Sequence, residues 1–263
     1  MSKLSIPRPY TGKYPSRKVS KRENRVIETA INSIRKGTDV AFEMAPVSVA
    51  LSGAGAAVTT TGVTGLMNQD GTIFEVRNIG TQTIVAPVWG STGLDIARDL
   101  TNNDGTEITQ GCTSRARHAY TVGTDAPVYF EVTTYITDVS GTDQYLIGWR
   151  KAEAYQADWN DYDELAAFNV VSGAISVSEI LNNAATVTTD TTNAWADTTS
   201  KTLRIEVAVN GKVTFFIDGS TPTIAVGHTF DAGEVIVPFL YLVHDTDVAE
   251  ATLLTSWRCG LIG

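Results

Sequence analysis

Asp158, Asp161, Asp163 and Glu164 fall within seven residues, interleaved with Trp159 and Tyr162. Carboxylates at this density could serve acid–base chemistry or supply oxygen ligands to a hard cation. Retaining glycoside hydrolysis needs two carboxylates about 5 Å apart, and inverting hydrolysis a wider gap. The run is turn-like, so a solvated acidic loop is the expectation. A calcium loop of the EF-hand kind needs glycine at its sixth position, and the sixth residue from Asp158 is Asp163. His244, Asp245, Asp247 and Glu250 form a second acidic group with the same shortfall of ligands. His118, His228 and His244 are scattered, and Cys112 and Cys259 stand far apart, so no zinc spacing arises. The chain contains no Gly-x-Ser-x-Gly elbow and no Walker A loop. Ser52-Gly53-Ala54-Gly55 lacks both the lysine and the strand–helix context. No catalytic residue, metal or cofactor is expected, and the chain reads as a non-enzyme.

Recognition of a glycan is the remaining chemistry with candidates. It uses exposed aromatic platforms beside polar groups. Trp159, Tyr162 and Trp195 lie in polar, loop-like stretches and are the residues to consider. Tryptophan also fills sandwich cores, which is the competing reading. Trp149 follows the alternation of a strand and is assigned to the core.

The elements that must carry these residues are announced by charge. The first 36 residues hold ten Lys/Arg against two Glu, a charge of +8. The other 227 hold ten Lys/Arg against 27 Asp/Glu, a charge of −17. A basic tail on an acidic body describes a chain that docks by its N-terminus. Residues 1–37 form this arm. Pro7, Pro9 and Pro15 keep its first part extended. Ser20 and Glu23 then make a capping box that starts a helix over about 21–35, with Gly37 as its stop. Ile27, Ile31 and Ile34 line one face of that helix. Arg17, Lys18, Lys21, Arg22, Arg25 and Arg35 supply the charge around it. A helix of about four turns is marginal alone in water, so its stripe must rest on a partner or on the body. The arm has only Tyr10 and Tyr14 for base stacking and no nucleic-acid motif, so a protein partner is expected rather than nucleic acid. No apolar run approaches the ~18 residues of a membrane span, and no membrane partner is expected.

Residues 38–71 are a linker rich in Ala, Gly and Thr. Residues 72–263 read as one all-β domain. Strands are expected at Thr72–Val76, Thr83–Val88, Val128–Ile136, Tyr145–Arg150, Ala166–Val171, Ala174–Val177, Leu203–Val209, Lys212–Asp218, Glu234–Val243 and Leu253–Leu261. Without long helices between them they must pair antiparallel, as a sandwich or barrel. Cys112 and Cys259 are expected to be buried thiols. One hairpin can be read to its register. A two-residue turn at Asn210-Gly211 would put Leu203, Ile205 and Val207 on the opposite face from Val213, Phe215 and Ile217. A three-residue loop, Val209-Asn210-Gly211, pairs Val207 with Val213 and Ile205 with Phe215 and puts all six on one face. The bulged hairpin is therefore predicted.

The segment Thr202 to Gly219, with its strand, Asn210-Gly211 turn, second strand and Asp218-Gly219 turn, resembles the late hairpin of concanavalin A-like lectin/glucanase sandwiches. Gly93-Leu94-Asp95-Ile96 and the late strands fit the same jelly-roll order. The resemblance implies an antiparallel jelly-roll β-sandwich. Glucanases of that architecture carry Glu-x-Asp-x-x-Glu on a strand, and this chain has no such spacing. The arm and linker resemble the attachment segments of tailed-phage head proteins, the cement or decoration proteins of capsids. That resemblance implies a virion structural protein, made in the host cytoplasm and placed on the capsid surface. It would bind the major capsid protein or another virion protein as a homo-oligomer, a trimer by expectation. A lectin-like adhesin or tail-fibre module is the alternative, and a polysaccharide-active enzyme the third.

Deleting residues 1–36 is expected to leave a folded body and to abolish attachment to the assembled partner. Co-sedimentation of the full and shortened chains with particles checks this. Full occupancy by the shortened chain would remove the arm as the anchor.

Overall fold

The computed structural model describes residues 40–43, 63–67, 73–80, 87–89, 92–96, 102–109, 119–224, 227–244 and 251–262. The arm, with Arg17, Lys18, Lys21, Arg22, Arg25, Ile27, Ile31, Ile34 and Arg35, lies outside the described residues. So do Cys112, His118 and most of the strand expected at Thr83–Val88.

Sixteen strands lie within the described residues, and every pairing among them is antiparallel. In chain order they are β1 (Val40–Glu43), β2 (Val63–Met67), β3 (Ile73–Ile79), β4 (Val88–Trp89), β5 (Leu94–Asp95), β6 (Gly105–Thr109), β7 (Tyr120–Thr121) and β8 (Val128–Ile136). There follow β9 (Thr142–Lys151), β10 (Leu165–Val171), β11 (Ala174–Ile180), β12 (Val187–Ala194), β13 (Thr199–Val207), β14 (Val213–Ile217), β15 (Val235–His244) and β16 (Thr252–Leu261). A seven-stranded sheet runs β14-β13-β8-β16-β5-β4, with β1 also on β16. A nine-stranded sheet runs β12-β11-β10-β9-β15-β6-β3-β2, with β7 also on β15. The two sheets pack face to face, so the chain is an antiparallel β-sandwich. No helix among the described residues is long and apolar enough to cross a membrane.

Alternation explains the seven-stranded sheet. Along β8, Val128, Phe130, Val132 and Ile136 are buried, whereas Glu131, Thr133 and Tyr135 face outward, as the sequence pattern predicts. Arg204 lies over the ring of outward-facing Tyr129, 4.0 Å from its centroid, and covers it. The hairpin of β13 and β14 has the predicted register, Leu203 with Ile217, Ile205 with Phe215 and Val207 with Val213. All six side chains are buried.

Aromatic rings join the sheets. Phe74 of β3 meets Trp257 of β16 edge-on at 5.1 Å, and Phe168 of β10 meets Phe215 of β14 at the same distance. Trp149, fully buried as expected, stacks edge-on to Phe130 and donates its indole N–H to the Ile205 carbonyl at 3.2 Å. Tyr145 and Thr134 share a hydroxyl hydrogen bond of 2.5 Å across the same interface. Cys259 is a buried thiol, as expected.

The nine-stranded sheet departs from simple alternation. Six of the seven residues of β10 and nine of the ten of β15 are buried. Pro238 of β15 sits where the missing N–H does no harm, between the pairing of Val235–Ile236 with β7 and that of Phe239–Val243 with β6. At the margin of this sheet, β12 was not foreseen. Its sequence Val-Thr-Thr-Asp-Thr-Thr-Asn-Ala lacks the apolar alternation that marks a half-buried strand. Its pairing with β11 is interrupted between Ile175 and Ser176, and Thr192 has φ +62°.

Gly211 closes the β13–β14 loop at φ +83°, and a Cβ there would stand 2.0 Å from the Phe230 carbonyl oxygen. Gly211→Ala is expected to cost about 1–3 kcal/mol through left-handed strain, with more from the clash. Urea unfolding monitored by tryptophan fluorescence measures it, and an unchanged midpoint would contradict the assignment of the loop.

Candidate functional site

Because β9, β10 and β15 carry apolar side chains on both faces, the outer face of the nine-stranded sheet needs a cover. Leu146, Leu165, Ala167, Ile180, Phe239, Tyr241 and Val243 form a second apolar cluster there. The connection from β9 to β10, residues 152–164, folds over it. Trp159 and Tyr162 are the residues it inserts, at 3% and 0% exposure. Trp159 lies in a short 3₁₀ turn, Trp159–Asp161, capped by Asp158, whose side chain accepts from the Asn160 N–H. The Trp159 indole donates to Gln144 Oε1 at 2.7 Å. Trp195 belongs to the sandwich core, 3% exposed, edge-on to Tyr145 and donating to the Thr199 carbonyl. The expectation that Trp159, Tyr162 and Trp195 form an exposed platform is thus corrected. Their polar sequence neighbours face solvent, while the rings of Trp159 and Tyr162 belong to the second apolar cluster and that of Trp195 to the sandwich core.

Beneath the cover lies a buried ion pair. Arg150 Nη2 is 2.8 Å from Glu107 Oε1, with both side chains at most 3% exposed. The Tyr162 hydroxyl donates to Glu107 Oε2 at 2.6 Å, and Arg150 Nη1 donates to the Lys151 carbonyl. The guanidinium carbon lies 4.4 Å from the centroid of the Tyr162 ring. Burial, and then the Glu107 charge, push the Tyr162 hydroxyl far above its ordinary pKa. It therefore stays protonated and donating, and the ring acts as a fixed part of the cover.

Beyond the covered area the outer face turns polar. Asn169 Nδ2 donates to Ser178 Oγ at 3.1 Å, and Ser178 Oγ is 3.0 Å from Thr188 Oγ1. This ladder crosses β10, β11 and β12. Ser178 is fully buried and Asn169 is 6% exposed, yet Asn169 Oδ1 has no hydrogen-bond partner. Alternation puts Val171, Ser176 and Asp190 on the same face. Val171 is exposed. Sequence reasoning missed the ladder. Its members are ordinary strand residues, and only the pairing register brings them together.

The acidic run does not act as a unit. Asp158 caps its own turn and Asp161 faces solvent. Asp163 pairs with Lys151 at 3.3 Å. Only Glu164 turns inward, toward His228, with Nε2 to Oε1 at 3.6 Å. Glu179 and Glu234 complete that buried group. His244 is buried in β15, while Asp245, Asp247 and Glu250 lie outside the described residues. Among the described residues no three His, Cys, Asp or Glu side chains are placed to hold a metal ion.

Removing one partner of the buried Arg150–Glu107 pair leaves an uncompensated charge. Glu107→Ala is expected to cost about 3–5 kcal/mol, and replacing both residues with methionine markedly less. A double-mutant cycle by chemical denaturation checks this; additive single and double changes would contradict it.

No family model matches the chain, and no curated protein matches it. Solved structures with a similar sandwich include the Emp47p carbohydrate recognition domain, 12% identical over 71% of this chain and 88% of that one, with a TM-score of 0.46. The VIP36 exoplasmic/lumenal domain in its Ca²⁺/Man3GlcNAc-bound form is 9% identical over 72% of this chain and 83% of that one, with a TM-score of 0.48. The carbohydrate binding module CBM66 from Bacillus subtilis is 11% identical over 76% of this chain and 92% of that one, with a TM-score of 0.40.

Proposed function

We propose that the sandwich is a non-catalytic glycan-binding module, with its site on the outer face of the nine-stranded sheet beside the 152–164 cover. The observation that carries this reading is the Asn169–Ser178–Thr188 ladder, which ends in an amide oxygen without a partner. A buried acceptor left unpaired costs about 1–3 kcal/mol. A sugar hydroxyl that gains access to the buried Asn169 oxygen as neighbouring side chains shift removes that cost, and the exposed Thr188 and Asp190 offer polar contacts at the surface. Val171, 41% exposed, gives the apolar face of a pyranose ring something to rest on. The cover is tied to the same margin, because Thr186 donates to Asn160 Oδ1 at 2.8 Å. The site is thus a polar strip on a rigid sheet, bordered by a pinned loop.

Attachment to a virion through the basic arm is the second reading, favoured by the division of charge between +8 and −17. The two are compatible, since a module that binds glycan must itself be held on something.

Binding of the full chain to a glycan array is expected, with Asn169→Ala weakening it about tenfold, the equivalent of one good hydrogen bond. The melting temperature of the variant should stay close to the parent's. Absence of binding by the parent chain, or equal binding by the variant, would overturn the glycan reading. Particle association that persists in Asn169→Ala would leave the attachment reading standing by itself.

A further inference from the structure

Four ionisable side chains that glycan binding does not use converge at one end of the sandwich. Glu164 immediately precedes β10, Glu179 lies on β11, Glu234 immediately precedes β15, and His228 belongs to the connection between β14 and β15. Their side chains are 0%, 16%, 14% and 2% exposed respectively. His228 Nε2 stands 3.6 Å from Glu164 Oε1 and Nδ1 stands 3.9 Å from Glu179 Oε1, both too long for hydrogen bonds. Five buried atoms have no hydrogen-bond partner when the acids are ionised: both oxygens of Glu164, Glu179 Oε1, Glu234 Oε2 and His228 Nε2.

The Glu164 and Glu234 side chains face each other within hydrogen-bond reach. Two carboxylates have only acceptors to present to each other. A single proton turns the contact into an O–H···O bond and removes one of two buried like charges. The nearby cation is a weak substitute. Lys151 Nζ lies 3.7 Å from Glu234 Oε1, is 37% exposed and is shared with Asp163. The other charges facing the group, Asp163 and Asp231, are acidic, and Glu153 acts on Lys151.

The element that this group holds spans both sheets. The Phe230 N–H donates to the Gly211 carbonyl and the Val213 N–H to the His228 carbonyl, which fixes residues 228–230 to the β13–β14 hairpin of one sheet. The His228 side chain enters the cluster formed by the other. We propose that the cluster is a proton-operated latch. A proton held between Glu164 and Glu234 locks the β14–β15 connection across the end of the sandwich, and its loss as pH rises releases that connection.

The direction in pH follows from the surroundings. Burial, then the contact with Glu164, pushes Glu234 up to about 7. Burial also raises Glu164 and Glu179 and lowers His228, which is therefore neutral near neutrality. For Glu234, stabilisation is fully present below the unfolded pKa of about 4.3 and is lost as pH rises through about 7, and the raised Glu164 and Glu179 act in the same direction. The depressed His228 acts oppositely, weakening the closed state as pH falls below its ordinary value near 6.5. The latch is therefore firmest in mild acid. Glu164 precedes the outward-facing Leu165, so the cluster lies on the core side of the sheet, opposite Asn169. Glycan binding and the pH response can be lost independently.

Backbone hydrogen exchange of the full chain at pH 6 and pH 8 tests the latch directly. After correction for intrinsic rates, protection at residues 228–235 is expected to fall about tenfold or more, the equivalent of one pKa unit. Protection in β8 should stay constant. Glu234→Gln preserves the shape and supplies a non-titrating N–H to Glu164, so its melting temperature between pH 5 and 9 should be flatter than the parent's. Parallel melting profiles for parent and variant would overturn the latch. If the variant does not fold, the parent's exchange decides alone, and equal protection at the two pH values overturns it.

Discussion

Around β9, β10 and β15 the nine-stranded sheet is apolar on both faces, and much of the molecule follows from that constraint. A sheet packed on one side can leave its other side polar, as the seven-stranded sheet does with Glu131, Thr133 and Arg204. Strands β9, β10 and β15 cannot, because Leu146, Ala167, Phe239 and Tyr241 occupy the positions that alternation assigns to solvent. The 152–164 connection is the answer to this exposure. It brings two large rings, and the Tyr162 hydroxyl reaches the Glu107 carboxylate beneath. The buried Arg150–Glu107 pair is then more than an inserted charge. With Tyr162 it fixes where the cover sits, as a hydrogen-bonded network can where apolar packing alone would allow sliding.

Parts of this structure were legible in the sequence because one short-range rule decided them. The face shared by Leu203, Ile205, Val207, Val213, Phe215 and Ile217 allows one loop length, and the structure has it. The alternation of β8 is equally plain, as was the burial of Trp149. The antiparallel sandwich followed from many short strands without helices between them. Elsewhere local pattern misled. Trp159 and Tyr162 sit among Asp and Asn, which reads as a wet loop, although their rings complete a core whose other half is formed by residues up to 84 positions away, as the Tyr241–Ala157 hydrogen bond shows. β12 is half threonine, with Asp190 and Asn193 among the rest, and has no apolar period to detect.

The polar groups of interest were illegible for a related reason. Asn169, Ser178 and Thr188 become neighbours only through the registers of β10 with β11 and of β11 with β12. Glu164, Glu179, His228 and Glu234 are spaced irregularly along the chain and meet where four elements end. Spacing rules detect groups carried by a single turn or helix; they miss groups assembled by the ends of strands. The inward turn of Glu164, one residue after solvent-facing Asp163 and one before outward Leu165, shows how little of such a group any local motif contains.

The ragged margin at β12 bears on how copies of this protein tolerate crowding. An unpaired outer strand is an open template on which a second molecule can add its own strand. Here that template is interrupted at the Ile175–Ser176 irregularity, bent by the left-handed Thr192 and charged at Asp190. A neighbour would find no straight run of donors and acceptors long enough to zip onto. That margin of the nine-stranded sheet therefore resists the addition of a second copy's strand.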